Sequence, residues 1–261
     1  MVLWRAEMEW PCQHWTLLGR RSLNSRFRIL DSSSMSEASF SGFSAEAIQF
    51  LRDLAAHNER DWFNPRKETF QRDLQEPLAQ LVLTTTDLLR KARIPLRADP
   101  KRSVFRLYRD TRFSSDKSPY KTHISAVFDR TAQRKTDGIL YVHIVPDESF
   151  AVIGFHQPAV PDLTRIRESI VDRQRIFLKL VAQLETLGFE LTSDEMLKRV
   201  PRGFEEFADS PTANYLKYKS FHLTRSLPDK IVRSKTLPNQ LVEFARIGLP
   251  FLKFGWEAMA R

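Results

Sequence analysis

The sequence predicts an α+β fold: an antiparallel sheet from the middle of the chain packed against N- and C-terminal helices. Three observations predict it. Apolar residues recur at helical spacing over 44–94 and again over 162–187 and 238–259. Segments with a period of two cluster between 104 and 155, joined by short turns. No strand–helix–strand alternation of the doubly wound kind appears.

Taken in order, Ser44 is a cap for a helix carrying Ala47, Ile48, Leu51 and Leu54. Asn64-Pro65 starts a second helical run whose face is Phe70, Leu74, Leu78, Leu81, Thr85 and Leu88. Pro77 is expected to bend or break it, and Ile94-Pro95 to end it. Four strands are then expected: Val104–Tyr108, His123–Phe128, Ile139–Val145 and Phe150–Phe155. Within the third, Leu140, Val142 and Ile144 form an apolar face for the helical core. The other face, with Tyr141 and His143, is more polar. Asp162 is the expected cap of a helix reaching Gly188, where glycine ends it. Ser220–Thr224 is a further strand, and Pro238–Met259 a helix with a break at Gly248-Leu249-Pro250.

Residues 40–261 read as a single α+β domain, and residues 1–39 as an N-terminal extension without order. Trp4, Trp10 and Trp15 follow no useful period, and Arg20, Arg21, Arg26 and Arg28 form a basic stretch closed by Ser32-Ser33-Ser34. Met35-Ser36-Glu37 reads as the start of the protein proper; the alternative is an Arg-rich targeting arm. The chain holds 41 Lys and Arg against 32 Asp and Glu, a net charge of +9, which favours anionic partners without choosing among them. Its one cysteine, Cys12, allows neither an intrachain disulfide nor a cysteine zinc site. With no apolar run long enough to span a bilayer, the expectation is a cytoplasmic protein, without a membrane partner.

Chemistry concentrates between Lys101 and His123. Seven cations, Lys101, Arg102, Arg106, Arg109, Arg112, Lys117 and Lys121, face only two acids, Asp110 and Asp116. Arginine presents a planar fork of donors that matches phosphate or carboxylate. Ser114, Ser118 and Tyr120 add hydroxyls, and Pro119 stiffens the segment. The acids can pair with the arginines and fix their rotamers, or help to hold a metal ion. Three readings stay open: an anion site, a structural ion-pair network, and a solvated basic face.

This segment resembles the signature of the domain-of-unknown-function 2461 family, Phe-Arg-x-Tyr-Arg-Asp-x-Arg-Phe-Ser-x-Asp-Lys-x-Pro-Tyr-Lys, over residues 105–121 in full. His57–Phe63, Tyr141–Ile144, Leu197–Phe204 and Leu216–Phe221 stand in the family's order, so the resemblance covers roughly residues 40–258. It departs at Val152-Ile153-Gly154-Phe155, where the family carries more glycine; a pocket floor built there would differ. The resemblance implies no activity. By analogy with the motif, it nominates Arg106, Arg109, Asp110, Arg112, Asp116, Lys117, Tyr120 and Lys121 as ligand-binding positions.

Elsewhere the signals are weaker. His123 and Ser125 share one strand face and Tyr141 and His143 share another, so the two can meet beside the basic segment. No histidine spacing is a metal signature, and no metal or cofactor is expected. Phosphate-binding glycine loops, nucleophile elbows and His-Glu-x-x-His are absent. Trp62-Phe63 reads as core packing. The first functional expectation is a binding protein for a phosphate-bearing ligand, a nucleotide or nucleic acid. Arg106–Lys121 would supply its charge and Tyr108, Phe113 and Tyr120 its aromatic surface. The alternatives are an enzyme using Asp110, Asp116 or His143 as acid or base, and a structural or partner-binding protein.

Overall fold

Ser44 opens the fold from an extended backbone, its hydroxyl accepting the Ala47 N–H at 3.0 Å, and α1 (Ala45–Ala56) follows. The computed structural model describes residues 39–112, 114–133 and 137–261. The expectations for residues 1–38 and for Phe113 lie outside the described residues. Ser39–Arg261 forms one compact unit.

After α1 the chain runs helically from Arg60 to Lys91 in pieces. These are α2 (Arg60–Phe63), a 3-10 turn opened by Asn64-Pro65, α3 (Lys67–Phe70), a π turn (Gln71–Gln75) and α4 (Glu76–Lys91). Pro77 is expected to bend or break this run; the irregularity found is the π turn, which ends at Gln75, ahead of it. Pro77 then falls in the first turn of α4, where its missing N–H costs least.

Four strands make one antiparallel sheet in the order β1-β2-β3-β4: β1 (Ile124–Phe128), β2 (Ile139–Ile144), β3 (Phe150–Phe155) and β4 (Phe221–Ser226). Helices α5 (Val160–Asp172), α6 (Gln174–Thr186) and the short α7 (Ala213–Leu216) lie between β3 and β4. The short α8 (Asp229–Val232) and the long α9 (Leu237–Met259) follow β4. One sheet face is wholly buried apolar surface from β1 to β3, formed by Ile124, Ala126, Phe128, Leu140, Val142, Ile144, Ala151, Ile153 and Phe155. It packs on α4 and α9. The other face carries His123, Ser125, Tyr141 and His143. It is polar as read from the sequence, yet these residues are buried as well.

Four local expectations differ from the structure. Val104–Tyr108 is not a strand. Ser103 and Phe105 bond to Val127 and Ser125 at the edge of β1. The chain then leaves the sheet, and Leu107 and Arg109 pair with Lys121 and Pro119. The helix expected from Asp162 begins at Val160, because Pro161 already fits a first turn; Asp162 instead pairs with Arg165 at 2.9 Å. That run is also two helices, parted at Arg173, and it ends before Gly188 at φ +80° as expected. Finally, α9 passes unbroken through Pro250. Pro250 and Arg246, whose carbonyl loses its donor, both lie on the exposed side, where water replaces the bond.

Gly154 explains the single glycine of β3. Its φ is +150°, and a Cβ there would stand 2.0 Å from the Phe221 carbonyl oxygen of β4. The residue sets the closeness of two strands rather than a pocket floor. Gly154→Ala is expected to cost about 1–3 kcal/mol from backbone strain and separation of the β3–β4 pair. Urea unfolding checks this, and a variant as stable as the parent would contradict it.

Candidate functional site

The basic segment folds as a narrow ribbon with a tip. Tyr108 and Tyr120 face one another across an antiparallel bridge, flanked by Arg109 N–H to Pro119 O at 3.0 Å and Lys121 N–H to Leu107 O at 2.8 Å. The side chain of Asn58, just beyond α1, serves the outer edge of this ribbon. Its amide donates to Tyr120 O at 2.9 Å and accepts from Tyr120 N–H at 3.0 Å. One asparagine thus substitutes for a third strand. It also joins the His57–Phe63 stretch to the 105–121 motif, two segments far apart in sequence.

The tip is held by its own acids. Asp116 pairs with Arg109 and accepts the Ser118 N–H at 2.9 Å. Asp110 takes Arg112 bidentately, at 2.9 Å to Nε and 2.6 Å to Nη2. Lys117 Nζ donates to Thr111 O at 2.9 Å. Hydrogen bonds from Arg112 hold Asp110 down to about 2. Ser118 first, and then Arg109, hold Asp116 well below the ordinary carboxylate range. Both are therefore ionised near neutrality, which suits them to positioning arginines and not to donating protons.

Between the ribbon and the α1–α2 junction lies an open cleft of about 660 Å³. Arg109, Lys117, Tyr108 and Ser118 line one wall; Asn58, Glu59, Arg60 and Asp61 line the other. Of the eight nominated positions, Arg109 and Lys117 reach it, with Asp116 fixing Arg109. Arg106, Asp110 and Arg112 are exposed and not among its lining residues. Lys121 lies over the Phe105 ring at 5.5 Å. Tyr120 is a core side chain, 1% exposed, with its ring 4.3 Å from Phe63. Sequence reasoning singles out Tyr108 and Ser118 by chemistry but does not connect Asn58 or Arg60 to them. The one signal that could have joined them is that His57–Phe63 and 105–121 both belong to the family resemblance. Trp62 and Phe63 are packing residues as read, with Phe63 buried and Trp62 stacked on His57 and tilted against Phe50.

Behind the ribbon, the polar sheet face brings together the four residues whose meeting the strand pattern allows. Ser125 is the register partner of His143. The His123 and His143 rings are 4.0 Å apart, His143 stacks on Phe150 at 4.6 Å, and Tyr141 OH lies 3.0 Å from His143 Nδ1. Burial, then His143 and the cations Lys121 and Arg109, push His123 down to about 2. Burial and Lys121 push His143 down to about 4. Burial pushes Tyr141 up to about 12. All three are neutral at pH 7, the condition a covered polar face requires. Among the described residues no group of three or more His, Cys, Asp or Glu is arranged to hold a metal ion. No helix among them is long and apolar enough to cross a membrane.

Fold and site together define an α+β protein whose basic ribbon and helical N-terminal segment enclose a mixed-charge cleft. The chain belongs to the DUF2461 family of conserved hypothetical proteins, whose family model matches residues 46–254. No curated protein and no solved structure matches it.

Proposed function

We propose that this protein binds a phosphate-bearing ligand in the cleft between the 107–121 ribbon and the α1–α2 junction. The observation that carries the reading is the convergence of Arg60, Arg109 and Lys117 on one cleft. Two of these cations are already held in place by the loop: Arg109 by Asp116, Lys117 by the Thr111 carbonyl. A site whose donors are ordered beforehand loses little side-chain entropy on binding. Ser118, Asn58 and Thr111 supply neutral polar groups at the same place. The ion pairs of the tip also favour a structural role for the motif, and the two roles are compatible: the acids shape the loop and the cleft cations use that shape.

The test is thermal unfolding of the full chain with inorganic phosphate, ribose 5-phosphate and AMP. A ligand binding only the folded state at a hundredfold excess over Kd adds about 2.7 kcal/mol. For a domain of this size that raises Tm by roughly 5–10 °C. Arg60→Gln and Lys117→Gln, both at exposed positions, are expected to keep the parent's Tm and reduce the shift. No shift of the parent with any of the three compounds would reject the reading.

A further inference from the structure

Three aromatic rings run in series from the core to the cleft. Phe63 and Tyr120 are 4.3 Å apart at 35°, and Tyr120 and Tyr108 are 5.2 Å apart at 55°. Their exposures are 3%, 1% and 51%. The first two rings are core. The third ends the series in the open, on the same wall as Arg109 and Lys117. Among the described residues Tyr120 is its only ring neighbour. The platform is also rigid. Asn58 grips both backbone groups of Tyr120, and Tyr108 is the residue bridged to it.

We propose that Tyr108 is a stacking platform and that the cleft takes a nucleotide unit, with its base on Tyr108 and its phosphate on Arg60, Arg109 and Lys117. This rests on the phosphate-binding reading of the same cleft and narrows it. A planar base continues a ring series that the described residues leave unfinished, and base–aromatic stacking tolerates any base because each has a π face. The opposite wall fits the remainder of such a ligand. Glu59 and Asp61 are exposed acceptors there, a poor lining for a bare phosphate but a suitable one for ribose hydroxyls and base amino groups. The cleft volume of about 660 Å³ lies within the roughly 300–1,000 Å³ of small-molecule sites, more than a phosphate group alone requires. Its openness admits either a free nucleotide or one unit of a single strand.

The experiment compares ribose 5-phosphate, AMP and a fluorescent ten-nucleotide oligodeoxythymidylate by equilibrium titration of the full chain, its Tyr108→Ala variant and its Tyr108→Trp variant. The parent is expected to bind AMP roughly 5- to 150-fold more tightly than ribose 5-phosphate, the equivalent of about 1–3 kcal/mol for one stacked base. Tyr108→Ala should bring the ratio of the AMP and ribose 5-phosphate affinities to about one, and Tyr108→Trp should restore it. An oligonucleotide bound more tightly per site than AMP places the nucleotide unit in a single strand; one bound equally or less tightly places it in a free nucleotide. Equal affinity of the parent for AMP and ribose 5-phosphate would overturn the stacking proposal while leaving phosphate binding intact. So would a Tyr108→Ala variant that weakens both alike. Failure of all three probes to bind the parent would instead remove the phosphate reading on which the proposal stands.

Discussion

Acidification from pH 6.5 to about pH 4 is expected to remove on the order of 5 kcal/mol of stability, through the buried pair His123 and His143. In the unfolded chain each imidazole titrates near 6.5. In the fold burial holds His123 to about 2 and His143 to about 4. Between these limits the unfolded state binds protons that the native state does not, so stability rises with pH and is lost on acidification. Each neutral histidine contributes about 1.36 kcal/mol per pH unit below 6.5. Against a total stability of roughly 5–15 kcal/mol, that loss is enough to unfold many domains. His156, which burial also holds below its ordinary value, acts in the same direction. The carboxylates Asp110 and Asp116 lose their contribution only below about pH 4, where the unfolded chain protonates. Urea midpoints measured at pH 7, 6, 5 and 4.5 resolve the histidine window. The doubly substituted His123→Asn, His143→Asn protein should show a much shallower slope. A parent midpoint that stays constant from pH 7 to 4.5 would contradict this account.

Asn58→Ala is expected to destabilise the protein by about 2–4 kcal/mol, the second largest effect. The substitution deletes two hydrogen bonds and leaves the N–H and C=O of Tyr120 without partners. Tyr120 is 1% exposed, so with Asn58 in place these backbone groups are covered from water and depend on its amide. Each orphaned group costs about 1–3 kcal/mol, less whatever relaxation lets solvent in. For a domain of this size the expected fall in Tm is roughly 5–15 °C. Asn58→Asp separates the two bonds. It still accepts from Tyr120 N–H but cannot donate to Tyr120 O, so its loss should be smaller than that of Asn58→Ala. Chemical denaturation with an unchanged m-value checks the assignment. An Asn58→Ala protein within about 0.5 kcal/mol of the parent would show that the amide bonds are dispensable, since surface substitutions without structural partners fall in that range.

The two effects share a cause. Both arise where polar groups are buried by the 97–123 excursion of the chain, one on the sheet face behind the ribbon and one along the ribbon's outer edge. The same excursion carries the cleft. On the proposed reading, ligand binding and stability are coupled here: the Asn58 bridge that holds Tyr120 also orders the ribbon that carries Tyr108 and Arg109. If the cleft binds its proposed ligand, changes at Asn58 should weaken binding through position, whereas changes at Arg60 or Tyr108 should act on the ligand directly.

Much of the fold is legible in the sequence because local rules govern it. Alternation identified β2 and β3, and helical spacing with Ser44 and Gly188 identified helix starts and stops, since caps and periodicity act over a few residues. Pro250 misleads for the same reason. A proline is disruptive by local rules, but its orphaned carbonyl on Arg246 faces solvent in α9, which only the packing of that helix reveals. Tyr120 misleads in another way. It stands in a basic, hydroxyl-rich motif, yet its ring turns inward to Phe63.

By itself, then, the sequence determined the α+β class, most of the strands, the basic character of residues 101–121 and the family to which they belong. Tertiary structure alone decided which members of that motif meet a cleft. Asn58 and Arg60 come beside Arg109 and Lys117 through a side-chain amide that pairs with a ribbon backbone 62 positions away and through the Phe63–Tyr120 ring contact. No local periodicity encodes that bond. Tyr108 is left as the exposed end of a ring series for the same reason: burial is settled by what packs from elsewhere in the chain, and neighbouring residues of identical type can end on opposite sides of it.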